Sequence, residues 1–68
     1  VSTAITAKKF RQSVAEAIRD GFLKDLAREF EVLDSTVSMW ADGTDRPPLV
    51  LQEVILLVIE RMRKANKI

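Results

Sequence analysis

The 68-residue sequence contains no cysteine, no histidine and no tyrosine, and only two glycines and two prolines. Without Cys or His, disulfides, thiolate nucleophiles, imidazole acid–base chemistry and the common zinc ligand sets are excluded. So few Gly and Pro beside 47% hydrophobic residues argue against a disordered or fibrous chain and for a small helical domain. Long apolar runs are missing too. The stretch from Leu49 to Ile59 is broken by Gln52 and Glu53 and falls well short of the roughly 18 to 20 residues of a membrane helix. The first residues, mostly Ser, Thr and Ala with Val1 and Ile5, run into Lys8-Lys9, which is not the pattern of a secretion signal. These absences predict a soluble protein of the cytoplasm, free of membrane, cofactor and metal.

The formal net charge of +1 conceals a division along the chain. Residues 1–20 carry Lys8, Lys9, Arg11 and Arg19 against Glu16 and Asp20, and residues 44–68 are likewise basic, with Arg46, Arg61, Arg63, Lys64 and Lys67 against Asp45, Glu53 and Glu60. Between them, Lys24 and Arg28 face Asp25, Glu29, Glu31, Asp34 and Asp42. Any attraction to a polyanion must therefore come from the flanks.

Periodicity predicts an all-α fold of four or five helices in a single domain spanning 1–68, with residues 1–5 as a flexible arm and 64–68 as a frayed basic tail. Phe10, Val14, Ala15, Ile18 and Phe22 recur at helical spacing, with Ser2, Thr3 or Thr6 as the cap and Gly21 as the stop. Leu23, Leu26, Ala27 and Phe30 mark a second helix beginning at Phe22. Asp34 or Ser35 is expected to cap a third, in which Val37 and Trp40 bury together and Gly43 ends the helix. Pro47-Pro48 fixes a loop, and Pro48 is expected as the first residue of a long last helix.

Two short helices separated by a few residues and locked by Leu26, Ala27, Phe30, Val32, Val37 and Trp40 form the helix-turn-helix pattern. The run FLKDLAREFEVLDSTVSMWADG resembles the core of the phage repressor and Cro-like DNA-binding proteins, in its Leu-Ala pair, its Val after the turn and its Ser/Thr-Val-Ser-x-Trp order. The resemblance implies a lambda-repressor-like fold and a transcriptional regulator, a repressor, in a bacterial or phage-infected cell. It implies base reading by Asp34, Ser35, Ser38 and Met39, with Thr36 near the backbone. Three positions depart from the pattern. Glu31 stands at the usual glycine of the turn, Leu33 at the usual capping Ser or Thr, and Met39 where Arg, Lys or Gln often reads a base. Leu33 shifts the expected cap to Asp34.

For double-stranded DNA, Lys8, Lys9, Arg11, Lys24 and Arg46 are the expected phosphate contacts. One such domain spans too short a site for useful specificity, so a homodimer on two half-sites is expected. Leu51, Ile55, Val58, Ile59 and Met62 are its candidate interface. The rival reading is a protein-interaction or oligomerisation module that keeps the scaffold and lacks strong DNA contact. The acidic middle favours that rival. Catalysis is disfavoured, because helix caps and turns account for the paired carboxylates Asp20/Asp25 and Asp42/Asp45.

Overall fold

The computed structural model describes residues 6–66, which form four helices and, among the described residues, no strand. α1 runs Ala7–Arg19, α2 Leu23–Phe30, α3 Asp34–Asp42 and α4 Leu49–Asn66. The all-helical expectation holds, with four helices rather than five. The expected arm at 1–5 lies outside the described residues, as do 67 and 68. α4 remains helical through Asn66, past the point where fraying was expected.

Thr6 opens α1. Its backbone is extended and its Oγ1 accepts a hydrogen bond from the Lys9 N–H at 3.0 Å, satisfying one of the donors that a helix start leaves free. Ser2 and Thr3, the other candidates, lie outside the described residues.

α1 and α2 end in the same way, ten residues apart. After α1, the Gly21 N–H donates to the Ile18 carbonyl at 3.0 Å and the Phe22 N–H to Ala17 at 2.9 Å. After α2, the Glu31 N–H donates to Arg28 at 3.3 Å and the Val32 N–H to Ala27 at 2.9 Å. Each pair of bonds is a Schellman closure. It requires one left-handed residue, and it lays an apolar side chain back against the helix. Gly21, at φ 92°, meets that requirement without steric cost, whereas Glu31 meets it as an L-residue at φ 54°, ψ 46°. The glutamate at the usual glycine position therefore leaves the turn geometry in place and carries its strain.

α3 begins at Asp34, with Leu33 extended before it and no side chain capping it. The expected cap by Asp34 or Ser35 is not made. Both lie inside the first turn, where a side chain cannot reach around to the free amides as a residue before the helix does. Asp34 instead places a carboxylate at the positive end of the helix. At the other end Gly43, at φ 86°, closes the helix by donating to the Met39 carbonyl at 3.0 Å. The chain then turns through Thr44–Pro48. Pro48 precedes α4 instead of starting it, and its carbonyl accepts from the Gln52 N–H at 2.9 Å. Gln52 is the one buried polar side chain among the described residues, and its Nε2 donates to the Pro47 carbonyl at 2.7 Å. This bond ties the proline loop to the first turns of α4.

The core joins Phe10, Val14 and Ala17 of α1, Phe22, Leu26 and Ala27 of α2, Val37 and Trp40 of α3, and Ile55, Val58 and Ile59 of α4. α1 is the hub, packing on all three other helices, while α2 also packs on α3. Ala15 and Ile18, expected in the buried stripe, are half-buried, and Ala17 takes the enclosed place because 10, 14 and 17 are four and three apart. Of the six residues expected to lock α2 on α3, Leu26, Ala27, Val37 and Trp40 are buried, and Phe30 and Val32 pack partly buried at the edge. The Phe30 and Trp40 rings meet edge to face, their centroids 5.9 Å apart. Near the far end of α4, Arg63 pairs with Asp20 and lies 6.0 Å from the Phe22 ring centroid, joining α4 to the corner between α1 and α2.

Candidate nucleic-acid interface

α2 and α3 are joined by three residues, and the buried pair Val37 and Trp40 orients α3 on the rest of the molecule. What remains outward on α3 is set by helical spacing. Asp34, Ser35, Ser38 and Asp42 are exposed, whereas Thr36 and Met39 are half-buried. The outer strip is therefore two serine hydroxyls between two carboxylates. The hydroxyls can donate to or accept from a base edge or a phosphate. Met39 offers only part of its thioether stem to solvent, and its apolar contact is the kind a thymine methyl makes.

Asp42 is tied to the turn that follows it. Thr44 holds its carboxyl below the ordinary aspartate range, first through the side-chain hydroxyl and then through the backbone N–H, which donates to Oδ1 at 2.9 Å. Asp42 thus remains ionised at neutral pH, and a phosphate approaching this end of α3 meets a negative charge.

Arg11 of α1 lies beside the same end of α3. A Cβ added at Gly43 would lie 2.8 Å from Arg11 Cδ, so the arginine stem crosses the end of α3 at van der Waals distance from the glycine backbone. α3 has no basic residue in its own last turn. A cation from α1 therefore stands at the negative end of the α3 dipole, an arrangement worth about 0.3–1 kcal/mol at a surface site. Neither composition nor spacing within α3 signals this contact, because the partners are 32 positions apart in sequence.

The remaining cations do not share one side. Lys9 lines a groove of about 330 Å³ between α1 and α4 with Ser13, Leu56 and Glu60. Residues two apart on a helix project in nearly opposite directions, so Lys9 and Arg11 cannot both follow one phosphate backbone. Lys8, three residues before Arg11, projects with it. Lys8, Lys24 and Arg46 are exposed.

The expected interface on α4 is divided by burial. Ile55 is 0% exposed and Val58 and Ile59 are 4% exposed, committed to their own chain's core, and Leu51 and Met62 are partly covered by it. A helix presents one inward face, and here Gln52, Ile55, Val58 and Ile59 fill it. The outward apolar residues are Leu49, Val50, Val54 and Leu57, which an undivided apolar run does not single out.

No helix among the described residues is long and apolar enough to cross a membrane. The chain matches no protein-family model, no curated protein and no solved structure.

Proposed function

We propose that the protein is a double-stranded DNA-binding transcriptional regulator of the repressor type. In this reading α2 and α3 are a helix-turn-helix, α3 enters the major groove and the chain acts as a two-fold pair. The observation that carries the reading is the division of α3. Its inner side is fixed by Val37 and Trp40, and its outer strip of Ser35 and Ser38 has no duty in the core. A helix held in this way, after a three-residue turn closed by a left-handed residue, has the form that a major groove admits. Lys8, Lys24 and Arg46 supply phosphate contact, and Arg11 does so from the end of α3. Serines contribute modest base readout, about 1–3 kcal/mol for a good contact. Most of the affinity is then electrostatic.

The test is fluorescence anisotropy on random duplex DNA over a salt series, with wild type and a Lys8→Ala/Lys24→Ala/Arg46→Ala variant. The three substituted cations should contribute about −2.7 to the slope of log K against log salt. The triple variant should lose most of that slope. Absence of wild-type binding at low salt and high protein concentration sinks the reading. The exposed Leu49, Val50 and Leu57 favour a second reading, a module whose partner is protein, which that result would leave standing.

A further inference from the structure

α4 is apolar on more sides than its neighbours cover. Its inner face holds Ile55, Val58 and Ile59. On the opposite side Val50, Val54 and Leu57 follow one another at spacings of four and three, with 73%, 41% and 65% of their surface exposed. Leu49 adjoins them at the start of the helix. The same stripe then continues, again at four and three, into exposed Arg61 and Lys64. One seam therefore runs from apolar to basic along the helix. Its apolar part presents on the order of 400 Å², within the range where patches on monomers are often functional. A standard interface buries about 800 Å² on each side, and the aliphatic stems of Glu53, Arg61 and Lys64 lie in position to extend the patch toward it.

We propose that this seam joins two copies of the chain, with α4 packed antiparallel on α4 about a two-fold axis between Val54 and Leu57. Charge selects both the occupant and the direction. Parallel packing would stack Arg61 on Arg61 and Lys64 on Lys64 at the basic end of the seam, where like charges repel. Antiparallel packing sets the Val54 of each copy against the Leu57 of the other. It lays the stem of Arg61 over the partner's Val50, one turn from the partner's Glu53. Among the described residues, Glu53 and Arg61 make no ion pair within their own chain, so both charges are available to meet across the axis. Glu60 also approaches the partner's Glu53 in this arrangement, but Lys64 already matches it at 3.6 Å. The seam is self-complementary, as an isologous contact requires. Ile55, Val58 and Ile59 take no part.

The seam deepens the two-fold pair of the proposed function but needs no DNA to form, so it is tested without DNA: a monomer that still binds duplex with salt dependence refutes the pairing and leaves DNA binding standing. Sedimentation equilibrium of the full chain from micromolar to millimolar concentration should show a reversible monomer–dimer equilibrium. Leu57→Glu should weaken the dimer by at least about tenfold, the effect expected at a central contact. The far-UV dichroism and melting of its monomer should be unchanged, because Leu57 is exposed there. Glu53→Arg and Arg61→Glu should each weaken association, and the double reversal should restore it. A monomer at every concentration overturns the proposal. So does a dimer indifferent to Leu57→Glu, or a double reversal that fails to rescue.

Discussion

Glu31 provides a measurement in which the gain from relieving backbone strain can be isolated. It occupies the left-handed position of the α2 closure at φ 54°, ψ 46°, and its side chain is exposed, so truncation removes no packing. An L-residue pays about 1–2 kcal/mol for this conformation. Glycine avoids that cost but gives the unfolded chain more freedom, an offset of about 0.4–1 kcal/mol. The difference predicts that Glu31→Gly stabilises the fold by about 0.5–1 kcal/mol, because the strain relieved exceeds the entropy lost. For a domain of this size each kcal/mol moves the melting point by about 4–8 °C, so a rise of about 2–8 °C is expected. The control is Glu31→Ala, which removes the same carboxylate but keeps the Cβ and should leave the melting point nearly unchanged. Thermal and urea denaturation followed by far-UV dichroism read both variants, with an unchanged urea m-value showing that the denatured state is the same. An equal rise in both variants would assign the effect to charge, and a fall in Glu31→Gly would refute the strain argument.

At Gly43 the opposite change should destabilise. Gly43→Ala imposes the left-handed penalty of about 1–2 kcal/mol and forces the Arg11 stem away from a Cβ 2.8 Å distant. Measured with Arg11→Ala in a double-mutant cycle, its cost should shrink, because the side chain it strikes is gone; strict additivity would show that the two do not touch. Asp42 has its carboxyl lowered by Thr44, so its contribution to stability is complete above the unfolded value of about 4 and is lost as pH falls through the lower folded value. The urea midpoints of wild type and Asp42→Ala should therefore converge on acidification below about pH 4, and a gap that persists unchanged would contradict this. In DNA binding Lys8→Ala should weaken affinity and lower the salt dependence more than Lys9→Ala does, since Lys9 lies in the α1–α4 groove. Equal losses in anisotropy titrations would place both on the same side of the interaction.

The helices were legible because their signals are local. Phe10 and Val14, Leu26 and Ala27, and Val37 and Trp40 each announce a face by spacing alone, and Gly21 and Gly43 mark ends that only a left-handed residue closes. The end of α2 was legible through order more than residue type, since Glu31 takes a glycine's role. What stayed hidden depends on distant parts of the chain. In α4 nearly every position from Leu49 to Ile59 is apolar, so composition does not divide inward Ile55 from outward Leu57; packing on the rest of the bundle, chiefly α1, does. The basic cluster of α1 likewise looked continuous at Lys8, Lys9 and Arg11, and it is divided by where α3 and α4 lie around the helix. On α3, spacing sets Ser35, Ser38 and Met39 on the outer arc and the family resemblance adds Asp34; Asp34, Ser35 and Ser38 are exposed, but the partial burial of Met39 follows from neighbours outside its own helix.

The Arg11 stem across Gly43 has a consequence for autonomy. α3 is nine residues long, begins without a side-chain cap and ends in an acid, and the cation at its tail belongs to α1. A peptide of that length is marginal as a helix in water even with good ends. Excised with α2 or grafted onto a foreign frame, the segment from Phe22 to Gly43 would keep its outward serines and lose what orders them. The smallest unit that can present this surface must include α1, and α3 is better described as a loan from the whole bundle than as a transplantable part.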